Sequence, residues 1–299
     1  MIRKFVRNIL RRPYRRSLNA VGSIVDIDSR NQQLQRQIVT QYRVACEAGS
    51  RPYDKIRDAG FRCYSQFEED GIILYVLSMV GFKTRTVVEM CCGTGDECMA
   101  TNLVLNHGFD GYMVDGDPAN ISHAERFFRM RKDCLLFPPV LRSAWITPDN
   151  VNELLLEMGA RGEVDVLSLD MDGNDYWVLD AITAVSPRLL VAETQNIIPG
   201  NLSLTIPYRP DFDSGWNKAP GEQDFRGASL AAMVKLGRSK GYRLIGAHRH
   251  GFNVFFLRSD LASDVFPEVS IDEVHDNHWT RVGQANRWPV VKDKGWIEV

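Results

Sequence analysis

The sequence predicts an α/β protein with a mostly parallel central sheet, and three observations support this. Short apolar runs alternate with helix-length segments between residues 86 and 193, which is typical of right-handed β-α-β units. Two later apolar runs, 242–247 and 253–257, are joined by too short a connection for a crossover, so they must pair antiparallel. The composition is globular, since 44% of the 299 residues are hydrophobic and 25% are charged.

The formal net charge of -2 is unevenly distributed along the chain. Residues 1–25 contain seven Lys or Arg and no acid, which leaves 29 basic against 38 acidic residues in the remainder, a net -9. Apolar residues alternate with these cations, as in a segment that lies on an anionic membrane surface. Residues 1–25 are therefore expected to form a basic leader that is either disordered or peripheral to a membrane. No nucleic-acid partner is expected, because the rest of the chain is acidic.

Residues 26–62 are predicted to form a helical N-terminal extension. Its first helix, over residues 26–48, places Ile27, Leu34, Ile38 and Tyr42 on one face, which packs on the body or against a second copy in a homodimer. The strands predicted from the apolar runs are, in order, 86–90, 111–115, 135–137, 164–170, 189–193, 242–247 and 253–257. Helices are predicted over 66–80, 124–130, 151–158, 177–182 and 229–239. One more helix, after the first strand, runs through Leu105 and is stopped by Gly108.

A glycine turn follows the first predicted strand, where Glu89 precedes Gly93 and Gly95. Glycines let the backbone approach a ligand closely, and the helix that follows begins with unpaired N–H groups. In an open α/β sheet this turn lies at the carboxyl ends of the strands, where ligands bind. The next strand ends at Asp115, with Asp117 two residues later, and an acid at this position can accept hydrogen bonds from ribose hydroxyls.

A nicotinamide dinucleotide is the main competing ligand for such a turn. Its fingerprint requires a third glycine to accommodate the pyrophosphate, whereas Gly95 is followed by Asp96 and Glu97. These carboxylates repel a pyrophosphate but suit a ligand that carries an ammonium and a sulfonium. The arrangement therefore favours S-adenosylmethionine as the cofactor.

With Glu89, Gly93, Gly95, Asp115, the segment 168–173 and the terminal hairpin, the chain resembles the class I S-adenosylmethionine-dependent methyltransferases. Segments 65–70 and 170–175 are similar to the FkbM-like methyltransferases, which mainly methylate hydroxyls of sugars and related compounds. The resemblance implies a Rossmann-like, seven-stranded sheet over residues 63–258, mostly parallel with an antiparallel terminal hairpin. Residues 259–299 then form a C-terminal extension. Cys91 departs from the class pattern, because it stands where the first glycine is usual and a cysteine favours a negative φ.

The resemblance also implies roles for residues in the cofactor site. Glu89 would orient the methionine ammonium, and Gly93 and Gly95 would pass under the cofactor. Asp115 is the first choice for the ribose and Asp117 the second. The remaining residues that the resemblance places near the cofactor are Ser65, in the family segment, and Met113, Pro118 and Ala119, which would flank the adenine.

The acceptor side is predicted at the ends of the fourth and fifth parallel strands. Asp170, Asp172 and Asn174 follow one strand, while Glu193 and Asn196 follow its neighbour. Oxygen ligands of this kind suit Mg²⁺, for which Asp170, Glu193 and Asn196 are the candidate ligands. Without a metal, Asp170 or a histidine, His248 or His250, would act as the general base, and Asp172 is a further catalytic candidate. A third interpretation is a turn that only caps the next helix.

Residues 197–227 are predicted to form a loop that covers the acceptor. Tyr208 and Trp216 offer aromatic faces for a sugar ring, and Arg209 offers a cation for a phosphate or a uronate. A loop of this length in a compact domain is usually functional or disordered.

Together these features predict an S-adenosylmethionine-dependent O-methyltransferase that acts on a hydroxyl of a sugar or glycan, at a membrane-associated polysaccharide or glycolipid. The alternatives are a non-catalytic module that keeps the cofactor fold, and a methyltransferase of a non-sugar small molecule. The six cysteines have no C-x-x-C spacing, so free thiols and a cytoplasmic location, at the inner face of the membrane if the leader binds there, are expected.

Overall fold

The computed structural model describes residues 31–212 and 223–299, and a seven-stranded sheet forms their centre. Its strands, in chain order, are β1 (Thr86–Met90), β2 (Asp110–Asp115), β3 (Val140–Ser143), β4 (Gly162–Leu169), β5 (Val185–Glu193), β7 (Tyr242–Ala247) and β8 (Asn253–Arg258). A separate two-stranded sheet pairs β6 (Leu204–Thr205) with β9 (Ile297–Glu298). In space the large sheet runs β3-β2-β1-β4-β5-β8-β7.

The first five strands of this order are parallel, and β8 lies antiparallel between β5 and β7. The predicted Rossmann-like, seven-stranded sheet with its antiparallel hairpin is therefore confirmed. The chain leaves β1 first toward β2 and β3 and then returns to β4 on the other side. This switch point lies between β1 and β4, where the carboxyl ends of the strands leave a crevice.

Helices cover both faces of the sheet. The N-terminal helix α1 covers residues 31–47 of the described chain. The others are α2 (Glu69–Val80), α3 (Met99–His107), α4 (Pro118–Arg129), α5 (Val151–Met158), α6 (Asp175–Ala181), α7 (Leu230–Ser239), α8 (Ile271–His275), α9 (His278–Asn286) and α10 (Trp288–Val291). Successive strand residues alternate between two core layers, with Val166 in one and Leu167 in the other. Burial on both faces explains why the strands are continuous apolar runs in the sequence.

The N-terminal extension packs on the body of the protein. Gln35 of α1 exchanges hydrogen bonds with Asn102 and lies 2.8 Å from His107 Nε2. Tyr42 packs edge-on against Tyr75, with ring centroids 4.9 Å apart. The predicted apolar face is wrong at Leu34, which is 58% exposed. The leader and the start of this helix, residues 1–30, lie outside the described residues.

The strand predicted at residues 135–137 is wrong. Lys132–Cys134 forms a single 3₁₀ turn, residues 135–137 are exposed, and β3 begins only at Val140. Cys134 is buried and ends the turn, while two prolines precede β3. Three consecutive apolar residues suggested burial, but they project from a connection between α4 and β3 instead.

The C-terminal extension packs beside the loop that follows β5. Ile197 and Ile198 are buried against Val291, and β6 in this loop pairs with β9 at the end of the chain. The described part of the predicted acceptor loop is therefore held by the extension and contributes to the core. None of the described helices combines the length and the apolar composition needed to span a membrane.

Candidate functional site

A cleft of about 720 Å³ opens at the carboxyl ends of β1, β2 and β4. Its lining contains seven acidic residues, Glu89, Glu97, Asp115, Asp117, Asp170, Asp172 and Asp211. No Lys, Arg or His stands among the described residues that line it. The field inside the cleft therefore favours a cationic ligand and opposes a pyrophosphate.

The glycine turn after β1 forms the floor of this cleft. Cys91, Gly93 and Gly95 all have positive φ values, of 65°, 54° and 78°. The expectation that Cys91 keeps a negative φ is wrong, because the turn imposes a left-handed conformation on the residue that stands in the first glycine position. Such a conformation costs a residue with a Cβ roughly 1–2 kcal/mol.

Glu89 is buried at the end of β1 and lines the cleft. Its carboxylate accepts hydrogen bonds from the backbone N–H groups of Met99, at 3.0 Å, and Ala100. Burial raises the pKa of Glu89 to about 7, although these two hydrogen bonds act in the opposite direction. Glu89 thus caps α3 while it faces the cleft, and its role toward a ligand ammonium stays a prediction.

Asp115 ties the turn to the end of β2. Its carboxylate accepts hydrogen bonds from Gly93 N at 2.8 Å, Asp117 N at 2.9 Å and Asn120 Nδ2 at 3.0 Å. Asp117 is exposed at the rim, where its side chain accepts from Ala119 N and caps α4. Both predicted ribose acids therefore line the cleft, with Asp115 held rigidly and Asp117 more open to solvent.

Ser65 does not line the cleft. It is fully buried, and its backbone N and its Oγ lie 2.8 and 2.9 Å from Asp70 Oδ2. Asp70 also accepts the backbone N–H groups of Cys63 and Tyr64, so it fixes this whole turn. The next residue along, Gln66, is the one that faces the cleft.

The expected adenine wall also differs from the structure. Met113 is fully buried in the sheet, and neither Pro118 nor Ala119 lines the cleft. Trp145 and Ile146, just beyond β3, line the cleft instead. The sequence analysis missed both, although a tryptophan that directly follows a strand end is a signal that could have indicated them.

Three carboxylates meet at the ends of β4 and β5. Asp170, Asp172 and Glu193 each place an oxygen within 4.8 Å of the others. Burial and the charges of its neighbours, Asp172 first, raise the pKa of Asp170 to about 8, and burial and Asp170 raise the pKa of Glu193 well above its ordinary value. Arg226 pairs with Asp172 and places its Nη2 3.8 Å from Glu193 Oε1.

A second cleft of about 610 Å³ adjoins the first and shares Gln66, Asp170 and Asp172 with it. The C-terminal extension forms its far wall. Trp279 belongs to this wall and is 50% exposed. The remaining lining is mainly polar and includes Thr194, Gln195, Asn196, Gln223, Asp224 and Arg287. The sequence analysis left the extension without a role, because no local pattern connects residue 279 to strand β5.

Asn196, the third predicted metal ligand, lines this second cleft but outside the carboxylate group. Its Nδ2 donates to the backbone oxygen of His250 at 2.9 Å and to Thr280 Oγ1 at 3.1 Å. Its amide therefore connects the end of β5 to the hairpin and to α9. Any ligand bond from Asn196 would have to use its remaining carbonyl oxygen.

His248 is not placed to act as the general base. It is 1% exposed, lines neither cleft, and packs under Phe252 with ring centroids 4.3 Å apart. Burial lowers its pKa to about 4, so the imidazole is neutral. His250 is packed against Phe67 and likewise lines neither cleft.

The loop residues predicted to bind the acceptor are only partly described. Tyr208 and Arg209 do not line either cleft, and Trp216 lies outside the described residues. Asn174 holds this loop at the end of β4, because its Nδ2 donates to the backbone oxygen of Arg209 at 2.8 Å. Phe212, three residues on, reaches the first cleft.

Comparison with solved structures finds similar sheets in several methyltransferases. Magnesium protoporphyrin IX methyltransferase of Synechocystis, solved with bound SAM, is 12% identical over 64% of this chain and 78% of its own, with a TM-score of 0.40. A TehB-like SAM-dependent methyltransferase of Corynebacterium glutamicum is 12% identical over 76% and 98% of the two chains, with a TM-score of 0.36. A SAM-dependent methyltransferase of Clostridium acetobutylicum is 13% identical over 62% of this chain and 87% of its own, with a TM-score of 0.39.

No protein-family model matches the chain, and no curated protein matches it in sequence. The TM-scores above all lie below 0.5, so no activity is carried over from those proteins.

Proposed function

We propose that this protein transfers a methyl group from S-adenosylmethionine to a hydroxyl oxygen. The observation that carries the proposal is the composition of the first cleft. Its described lining includes seven carboxylic acids and no Lys, Arg or His, and it lies around a glycine turn at the switch point of the sheet. A ligand with a sulfonium, an ammonium and a ribose matches this lining, whereas a dinucleotide phosphate does not.

The cofactor would lie along the carboxyl ends of the strands. Its ribose hydroxyls would bind Asp115 or Asp117, and its adenine would pack on Trp145 at the outer end of the cleft. The methionine ammonium would face the acids on the β1 side, Glu89 and Glu97. The methyl group would then point toward Asp170, which stands between the first cleft and the second.

The transfer is an in-line displacement. A lone pair of the acceptor oxygen attacks the methyl carbon, the bond from carbon to sulfur breaks, and S-adenosylhomocysteine leaves with the electron pair on sulfur. The proton of the hydroxyl passes to a carboxylate of the Asp170 and Glu193 pair. A raised pKa makes the ionised form of either carboxyl a stronger base. The ionised fraction of Asp170, which grows as pH approaches its pKa of about 8, accepts the proton.

The second cleft supports a sugar or glycan as the acceptor. Trp279 lines this space and is half exposed, and an aromatic face packs well on the apolar face of a pyranose ring. The amides and carboxylates around it can bind hydroxyls, and a volume of this order is typical of small-ligand sites. A non-sugar small molecule with several hydroxyl groups is the alternative acceptor.

The three carboxylates also offer the hard oxygen ligands that Mg²⁺ prefers. Asp170, Asp172 and Glu193 would hold the ion, and bound there it would acidify an acceptor hydroxyl. Arg226 is the competing counter-ion, because it already pairs with Asp172. Loss of turnover on treatment with a chelator, restored by Mg²⁺, would favour the metal over the arginine.

The location of the acceptor is proposed from the leader. If the acceptor is a glycan assembled on a lipid at the cytoplasmic face of a membrane, the seven cations of residues 1–25 would bind the anionic lipids beside it. Deleting residues 1–16 would then lower the fraction of protein that sediments with anionic vesicles. An unchanged fraction would remove the leader from this account.

The experiment that tests the function is calorimetric titration with S-adenosylhomocysteine, run beside a titration with NAD. Micromolar binding of the first ligand and none of the second is expected. Absence of S-adenosylhomocysteine binding would overturn the proposal. Binding without transfer from S-adenosylmethionine to any hydroxylated acceptor would favour the non-catalytic module. Asp170→Asn is expected to keep cofactor binding and to block methyl transfer, so it separates these two activities.

A further inference from the structure

Three consecutive apolar side chains project into solvent between α4 and β3. Leu135, Leu136 and Phe137, called the apolar tip below, are 62%, 82% and 79% exposed. Single exposed apolar residues are ordinary on protein surfaces, but a contiguous group of this size usually marks an interaction site. Met130 adds a fourth exposed apolar side chain just before the tip.

The tip is held in place by the residues on both sides of it. Cys134 is buried, and its Sγ lies 3.3 Å from the backbone oxygen of Phe128. Pro139 is buried against β2, so closely that a Cβ added to Gly111 would lie 3.1 Å from the proline Cβ. The chain is thus anchored at each end of the tip, and docking would require little further ordering of the backbone.

Four cations precede the tip in the chain. Arg126, Arg129 and Lys132 are exposed and form no ion pair among the described residues, and Arg131 lies over the ring of Phe127 at 4.5 Å. The same stretch contains only two acids, Glu125 and Asp133, so it carries a net positive charge. This local excess is notable because residues 26–299 together carry a net -9.

The first described helix, α1, packs on α3, and the turn before the tip packs on α3 as well. Gln32, in the first described turn of α1, donates from Nε2 to the backbone oxygen of Leu105 in α3 at 3.2 Å. The Lys132–Cys134 turn also packs against α3. The chain before α1, whose residues 1–25 include seven Lys or Arg, therefore joins the described structure at a helix that packs on α3.

We propose that the apolar tip is a docking surface for an anionic lipid bilayer. Its three side chains would enter the boundary between head groups and acyl chains, while the cations around it bind lipid phosphates. Stable membrane anchoring generally needs two signals, and the tip together with the basic leader supplies two. Neither alone would give a lasting attachment.

Charge argues against the other occupants of this surface. In a symmetric dimer through the tip, Arg129 and Lys132 would face their own copies, which is repulsive. The leader is cationic as well, so it would be repelled by the same residues. An anionic surface with an apolar interior matches both the cations near the tip and its exposed apolar side chains.

The docked orientation leaves the clefts open. The tip precedes β3, whose first residue Val140 pairs with Tyr112 near the start of β2, so it lies at the amino ends of the strands. The clefts lie at the carboxyl ends, on the order of 15–20 Å away by the length of the strands. A bilayer bound at the tip would therefore not cover them.

The test is co-sedimentation of the full chain with vesicles of phosphatidylcholine, with and without phosphatidylglycerol. Wild-type protein is expected to bind the anionic vesicles at least about tenfold more tightly than the neutral ones. The double variant L136S/F137S should weaken anionic binding at least about tenfold, while its thermal unfolding stays unchanged because both side chains are exposed. The matched control is Val290→Ser, which alters an exposed apolar side chain outside the tip, 59% exposed, on α10.

Three results would overturn the proposal. The first is that wild-type protein does not bind anionic vesicles, or binds neutral vesicles equally tightly. The second is L136S/F137S binding as tightly as the wild type, which would assign all attachment to the leader. The third is a wild-type dimer in light scattering that L136S/F137S converts to a monomer with vesicle binding retained, which would make the tip a dimer interface. Phe137→Ser alone serves as a second variant if the double one unfolds.

Discussion

The backbone N–H of Gly93 donates to the carboxylate of Asp115 at 2.8 Å, which joins the glycine turn of one strand to the acid that ends the next. Two features that the sequence displays 22 residues apart are thus one physical unit. Moving the carboxylate also moves the floor of the cleft. Asp115 therefore has a structural role in addition to the proposed role toward a ribose.

We expect Asp115→Asn to lose both stability and cofactor affinity. The amide would turn its NH₂ group toward at least one backbone N–H that the carboxylate now accepts, so the free energy of unfolding should fall by about 1–3 kcal/mol. The affinity for S-adenosylhomocysteine should fall at least about tenfold. Urea denaturation and calorimetry measure the two effects.

The matched control for this variant is Asn120→Ala, which removes one donor to the same carboxylate and leaves the turn intact. It should keep the affinity for S-adenosylhomocysteine within about twofold. Wild-type affinity in Asp115→Asn would show that the ribose is not bound there.

Cys91 offers a test of backbone strain in the same turn. Its φ of 65° is unfavourable for any residue with a Cβ and worst for a β-branched one. Cys91→Val should therefore lower the free energy of unfolding by about 2 kcal/mol, whereas Cys91→Gly should be neutral or slightly stabilising. Equal stability of the valine and glycine variants in urea would contradict the left-handed conformation.

Asp170 should make the protein less stable at alkaline pH. Its pKa is about 8 in the folded chain against an ordinary value of 3.8, so the folded state holds an extra proton between these values and loses stability as pH rises through them. Asp170→Asn cannot ionise, and its melting temperature should exceed that of the wild type by a few degrees at pH 8.

The advantage of Asp170→Asn should shrink as pH falls toward 4, because the wild-type carboxyl is then protonated as well. Thermal unfolding at pH 5 and pH 8 measures the difference. Asp133→Asn, at an exposed position, is the control and should not change the pH dependence. A melting temperature of Asp170→Asn below that of the wild type at pH 8 would argue that Arg226 stabilises the ionised form instead.

Trp279 should affect the acceptor and not the cofactor, because it lines only the second cleft. Trp279→Ala is expected to raise KM for the acceptor about tenfold and to leave the affinity for S-adenosylhomocysteine unchanged. Trp279→Phe keeps an aromatic face and should recover most of the loss. An unchanged KM in Trp279→Ala would remove the C-terminal extension from the acceptor site.

Several relationships in this site could be predicted from the sequence because a parallel sheet collects its carboxyl ends at one edge. Asp170 and Glu193 end strands that were expected to be neighbours, and they meet in the structure. The turn at Gly93 and the acid Asp115 were connected by the same reasoning. In each case the parallel arrangement of the strands determines which strand ends share an edge.

Other relationships depend on contacts between distant parts of the chain, which local patterns do not encode. Trp279 reaches the second cleft only because α9 packs beside the end of β5, through Thr280 and Asn196. His248 follows a strand end like the other candidates, but it packs under Phe252. The apolar run at 135–137 has the composition of a strand, and only the buried Cys134 and Pro139 on either side reveal it as a projection.

The acidic lining of the first cleft has a consequence for turnover. A sulfonium cofactor enters with a positive charge at sulfur, but S-adenosylhomocysteine departs as a thioether without that charge. One unit charge near a carboxylate is worth on the order of 1–4 kcal/mol, depending on solvent exposure. The cleft would thus bind the donor more tightly than the product S-adenosylhomocysteine. Methyl transfer would itself lower the affinity for the bound molecule, which favours product release before the next turnover.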